Sequence, residues 1–234
     1  MTRNRPLLLA GAVGAAAVVA VVLILIGLES SSTSRAATPT TTQATSVPAL
    51  SLAGIPQHGH TLGKPSAPVT LVVYEDPQCP YCRSWNVDTL PTVIDQFVRT
   101  GKIKLVYRGV EIIGPNSEPG LRAIYAAGEQ NKLWNLADAL YARQGVENSG
   151  WITSAVILAA AREAGANGNA IIKQMGSTAV TADLSQAAKQ ATADQLGGTP
   201  TFIVERPPAV AHQLAVPGLD PASFVPALTA ALQG

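Results

Sequence analysis

Cys79 and Cys82 are the only cysteines in this 234-residue chain, and they stand together as Cys79-Pro80-Tyr81-Cys82. A protein that uses cysteine for cross-links scatters several along its length. This pair instead follows an apolar run and opens a predicted helix. That placement suits reversible dithiol/disulfide chemistry. At a helix N-terminus the unpaired N–H groups and the positive end of the dipole stabilise an anion. A thiolate at Cys79 gains from both, and the thiolate is the nucleophile in exchange.

Other chemistry for the pair is weaker. Half of a zinc site needs about two further ligands. The chain offers His58, His60 and His212, and their spacing from the cysteines is not a standard one. A purely structural disulfide is a poor staple, because so short a loop removes little chain entropy.

The elements that must position the motif are readable around it. Val69 to Tyr74 is a β-branched, nearly continuous apolar run, the pattern of a strand covered on both faces. After the motif, Leu90, Val93, Ile94, Phe97 and Val98 fall on one helix face. Pro91 is expected to kink that helix, and Gly101 to end it. Lys102 to Val110 alternates and reads as a second strand. A helical stretch follows, with Leu133, Leu136, Ala137, Leu140 and Tyr141 at helical spacing. Trp151–Ala164 and Val180–Leu196 are further Ala-rich helices, with a short piece at Ala170–Met175 between them. Trp134, Tyr141 and Trp151 read as core packing. Gly197-Gly198 is the expected stop. Thr201–Glu205 reads as a strand and His212–Val216 as its hairpin partner. Asp220-Pro221 then caps a final helix.

Net charge is +1 and charged residues make up 13% of the chain, so no charge block calls for nucleic acid or another electrostatic partner. Leu7 to Leu28 carries no charge and is long enough to span a bilayer as a helix. It is too long for an ordinary cleaved signal, and an uncleaved signal anchor is the favoured reading. Arg3 and Arg5 place residues 1–6 in the cytoplasm. The expectation is a single-pass protein of the cytoplasmic membrane, its folded domain in the oxidising extracytoplasmic compartment. Residues 29–50, rich in Ser, Thr and Pro, read as a flexible tether reaching about 25 Å. The folded domain is expected over 51–234.

Two segments carry a resemblance. Glu75-Asp76-Pro77-Gln78-Cys79-Pro80-Tyr81-Cys82 and Gly197-Gly198-Thr199-Pro200-Thr201-Phe202, with the lead-in Thr61–Thr70, make the chain similar to the DsbA-like branch of the thioredoxin superfamily. That resemblance implies an α/β thioredoxin fold, a mixed sheet flanked by helices, with a helical insertion over about 115–196. It implies Cys79 as an exposed nucleophile and Cys82 as a buried resolving residue, with Pro80 and Tyr81 between them. It implies that Pro200 follows a cis bond and that Thr199 offers backbone groups to a substrate peptide. No cofactor is implied.

This chain departs from the pattern twice. Tyr81 stands where many relatives have His, so no imidazolium stabilises the Cys79 thiolate, and a weaker oxidant is implied. Val73 stands where many relatives have a buried acid. Either Glu75 replaces that acid or proton handling differs; the plainer reading of Glu75 and Asp76 is a solvated strand end.

The favoured function is disulfide formation in unfolded or newly exported cysteine-containing proteins, by a monomer reoxidised by a quinone-linked membrane partner. The alternatives are a reductase or isomerase on the same fold, and a Cys/His metal-binding module.

Overall fold

The computed structural model describes residues 50–233. The cytoplasmic N-terminus, the apolar run Leu7–Leu28 and nearly all of the tether expected above lie outside the described residues. Among the described residues no helix is long and apolar enough to cross a membrane.

Two short strands, β1 (Gln57–His58) and β2 (Thr61–Leu62), precede the main strand β3 (Val69–Glu75). A helical run over 80–98, called α1, carries the motif. Next come β4 (Ile103–Gly109), α2 (Glu118–Gly128), α3 (Leu133–Tyr141), α4 (Ser154–Glu163), α5 (Gly168–Gln174) and α6 (Thr178–Ala193). The chain closes with β5 (Thr201–Glu205), β6 (His212–Gln213) and α7 (Pro221–Ala231).

The sheet order is β1-β2-β4-β3-β5-β6, with β3 and β4 parallel and β5 antiparallel to β3. This is the mixed, helix-flanked sheet of a thioredoxin fold. β3 is central and buried almost throughout, which explains its unbroken apolar sequence. Pairing sets Val73 opposite Tyr107 on one side and Phe202 on the other. By strand alternation Glu75 shares their face.

That face carries the aromatic core. Trp85 packs edge-on against Phe202 at 4.7 Å and lies 4.4 Å from Phe224, which joins α1, β5 and α7. Tyr107 meets Tyr125 and Trp134 edge-on, each at 5.9 Å. Trp134 and Tyr141 are buried, as core packing requires, and Trp151 is partly covered.

Two helix expectations need restating. Around Pro91 the helix α1 departs from regular geometry: π-helical turns at Trp85–Thr89 and Ile94–Val98 flank a short α-helical piece, Leu90–Val93. The Leu90 N–H reaches back five residues to Trp85 O, and the wider turn accommodates a proline that cannot donate. The other expectation, on the end of α6, is corrected. It stops at Ala193, before Gly197-Gly198. Gln195 takes a left-handed φ of 54° and Leu196 N bonds Ala191 O at 3.0 Å, a Schellman-type close without glycine. Asp194 fixes this end by accepting from the Tyr74 hydroxyl at 2.6 Å.

Candidate active site

Cys79 is the N-cap of α1, with extended backbone (φ −71°, ψ 120°), and Pro80 opens the first turn. Neither cysteine is in a disulfide in this structure. Opposite lies the loop before β5, where the Thr199–Pro200 bond is cis. The Cys79 thiol donates to Thr199 O at 3.2 Å. The fold thus brings together Cys79, Cys82, Thr199 and Pro200 from segments about 120 residues apart.

Cys79 is not exposed, contrary to the expectation: the residue is 3% accessible. The Thr199 carbonyl covers its sulfur, and Tyr81, 68% exposed, stands outward instead. The Cys79 thiol is nevertheless acidic, with its pKa lowered to about 6. The main cause is a hydrogen bond from the Cys82 thiol, which outweighs the opposing cost of burial. The Thr199 side chain and the backbone N–H groups of Cys82 and Tyr81 add to it. The Thr199 hydroxyl is buried and has no partner of ordinary length, so its effect on the sulfur is that of a nearby donor. One residue therefore serves both forms of the sulfur: its carbonyl accepts from the thiol and its hydroxyl favours the thiolate. Cys82 is fully buried, and burial pushes its thiol well above the ordinary range.

The ultraviolet thiolate absorbance of the reduced protein should therefore titrate with a midpoint near 6. Cys82→Ala should move that midpoint up, since it removes the largest stabilising contact. A midpoint of about 8.5, that of an unperturbed thiol, would overturn this geometry.

The solvated strand-end reading of Glu75 and Asp76 is also corrected, because both are fully buried. Strand β3 runs on through Glu75, which turns beneath α1 and accepts from Asn86 Nδ2 at 2.8 Å. Burial drives its pKa up to about 8. Asp76 turns the other way and accepts four hydrogen bonds. Gln78 N (2.8 Å) and Ser117 Oγ (2.6 Å) reach Oδ1; Ile112 N (2.8 Å) and Ile113 N (2.9 Å) reach Oδ2.

Sequence reasoning did not find this scaffold. Gln78, buried beside Cys79, donates to Ser117 Oγ at 2.9 Å and accepts from Asn148 N at 2.7 Å. Gln144, just past α3, donates to Pro77 O (2.9 Å) and Cys79 O (3.0 Å). A Cβ on Gly120 would stand 2.9 Å from Pro77, so α2 packs this closely only with glycine there. The inserted helices therefore hold the loop that presents Cys79. A polar residue next to the first cysteine was the one available signal, and its partners lie too far along the chain to pair by inspection.

The histidines do not join the cysteines. His58 and His212 are exposed, and His60 Nε2 lies 3.2 Å from Asp183. Among the described residues no group of three or more His, Cys, Asp and Glu is placed to hold a metal ion.

The fold and the paired cysteines facing a cis-proline loop define a dithiol protein of the thioredoxin class. The chain belongs to the thioredoxin family, whose family model matches residues 56–208. A probable disulfide bond formation protein D of Bacillus cereus is 34% identical over 105 residues, 44% of this chain and 49% of that protein. The chain spans about half the length of the curated disulfide bond formation relatives it matches. Among solved structures, a thioredoxin-like oxidoreductase from Silicibacter pomeroyi is 28% identical, with a TM-score of 0.57 over 77% of this chain and 93% of that one. Oxidised BdbD from Bacillus subtilis has a TM-score of 0.64 at 19% identity, over 75% of this chain and 94% of that one, and supports the fold.

Proposed function

We propose that this protein is a thiol–disulfide oxidoreductase that forms disulfides in exported, cysteine-containing proteins. One observation carries the reading: an acidic Cys79 at a helix N-cap, backed by a buried Cys82 and covered by the Thr199 carbonyl. In the oxidised form a client thiolate attacks Cys79 Sγ. The Cys79–Cys82 bond breaks, and its electron pair leaves on Cys82 as a thiolate. Glu75, protonated near neutral pH, passes its proton to Cys82. A second client thiolate then attacks the client sulfur of the mixed disulfide. Cys79 leaves as a stabilised thiolate. The client has lost two electrons and the protein has gained them.

The thiolate also sets the direction of exchange. An acid whose pKa is lowered on folding contributes stability above its unfolded pKa and loses it as pH falls through the folded one. With values of about 6 and 9, Cys79 stabilises the reduced form at pH 7 by about 1.4 kcal/mol, equal to about 30 mV toward an oxidant. Client peptide is proposed to add to the loop edge at Thr199 through backbone bonds. The favoured setting is extracytoplasmic, with Leu7–Leu28 as anchor and a quinone-linked membrane protein as reoxidant.

A reductase on the same fold is a second reading, favoured by Tyr81, which supplies no cation beside the thiolate. The described residues 50–233 fall in one compact unit, and the equilibrium potential of the domain they form against glutathione decides between the two. A value between about −120 and −180 mV, with oxidative refolding of a reduced test protein, supports the oxidase. A value near −270 mV removes it in favour of the reductase.

A further inference from the structure

The carboxyl of Glu75 is only half satisfied. Asn86 Nδ2 holds Oε1 at 2.8 Å, while Oε2 is buried with no partner of ordinary length. Three buried donors around it are equally unpartnered: Trp85 Nε1 of α1, the Tyr107 hydroxyl of β4 and the Tyr141 hydroxyl of α3. An unsatisfied buried polar group costs about 1–3 kcal/mol. Three unpartnered donors therefore stand near one unpartnered acceptor, on the carboxyl that lies beside Cys82. Among the tyrosines, Tyr141 lies nearest in effect. Its hydroxyl already favours the Glu75 carboxylate, second only to Asn86, although the contact is longer than an ordinary hydrogen bond.

We propose that Tyr141, supplied by the inserted helices, is a positioning residue for Glu75, closing its hydroxyl onto Oε2 when Glu75 passes its proton to Cys82. This rests on the proton role assigned to Glu75 above. The step is balanced: the S–S electron pair arrives on Cys82, the Glu75 proton follows it, and the negative charge remains on the carboxylate. Inside a dry core that charge needs donors. Asn86 supplies one, and the Tyr141 hydroxyl, which has no partner of ordinary length and whose other near group is the Tyr107 hydroxyl, supplies the next. On reoxidation the proton returns to Glu75 and the hydroxyl relaxes. The titratable groups facing this carboxyl are Cys79 and Cys82 of α1, Tyr107 of β4 and Tyr141 of α3. Beyond these, Asp76 faces Tyr141 and Tyr125 faces Tyr107.

The test is the pH profile of reduction of the oxidised protein by dithiothreitol, corrected for reagent thiolate. In the wild type the corrected rate should fall as Glu75 ionises. In Tyr141→Phe that fall should move up by about one pH unit, the worth of one hydrogen bond to a charged group, with a slower rate at pH 7. In a Glu75→Gln background Tyr141→Phe should change nothing. If Glu75→Gln flattens the profile while Tyr141→Phe leaves it in place, Tyr141 has no such role and the Glu75 reading survives. If Glu75→Gln leaves the profile intact, both fall. Should Tyr141→Phe not fold, ring-carbon NMR of Tyr141 in the wild type answers the same question. A Tyr141 signal that titrates with the Glu75 carboxyl supports the proposal, and one that does not overturns it.

Discussion

Asp76→Ala should destabilise the domain by about 3–5 kcal/mol, the largest loss expected from any single side chain outside the apolar core. The carboxylate is fully buried and accepts from Gln78 N, Ser117 Oγ, Ile112 N and Ile113 N. Alanine leaves all four donors without a partner. The two near the surface, at exposed Ile112 and half-buried Ile113, can recover water. Those of Gln78 and Ser117 cannot. Hydrogen bonds to a charged acceptor are worth about 1.5–3 kcal/mol each, which places the sum in this range after partial hydration. Asp76→Asn keeps one acceptor oxygen and turns an amide toward two N–H groups, so it should cost about half as much. Urea unfolding measures both, with the slope m unchanged if only the native state is affected. The loop from Asp76 to Cys79 is also the support of the nucleophile, so the acidic thiolate titration should be lost with it. A cost below about 1 kcal/mol for Asp76→Ala would mean that water already reaches these donors.

What was legible in the sequence follows from how local the cause is. Val69–Tyr74 declares a central strand because burial on both faces leaves only apolar residues there. Asp220-Pro221 declares a helix start because cap and first-turn residues act within three positions, and Asp220 does accept from Ser223 N at 3.0 Å. The burial of Asp76 is not local. Three of its four partners sit 36–41 residues away, so two adjacent acids at a strand end look solvated. Glu75 was half legible: alternation put it on the face of Val73, and only the packing of α1 and α3 over that face shows it sealed. The end of α6 escaped notice because Asp194 is held by Tyr74, a contact across the fold, before the glycines are reached. The cover over Cys79 comes from Thr199, on the far side of the insertion. The helix carrying the cysteines was read correctly, yet its accessibility is decided by a loop that arrives about 120 residues later.

Glu75→Gln should make the protein more stable, and increasingly so as pH rises. The carboxyl has a folded pKa of about 8 against an ordinary value of 4.5. A raised acid binds its proton more tightly when folded. Its contribution is therefore most favourable below about pH 4.5 and is lost progressively as pH climbs to about 8. Linkage sets the loss at up to about 3 kcal/mol at pH 7 and about 5 kcal/mol at pH 9. Glutamine keeps the oxygen that Asn86 needs and never ionises, so the variant escapes this loss. The comparison is cleanest in the disulfide form, where Cys79 does not titrate. There the midpoint drops somewhat, because the Cys79 charge is one of the causes raising it. Urea unfolding at pH 4, 7 and 9 should show the two proteins nearly equal at the first and diverging at the last. Catalysis should move the other way, because Cys82 then leaves into a dry core with no proton at hand. A buried acid that weakens the fold at the pH where it acts is hard to explain by packing, and proton delivery accounts for it. If Glu75→Gln gains nothing at pH 9, the carboxyl is not held at a cost to the fold, and the proton role loses its physical basis.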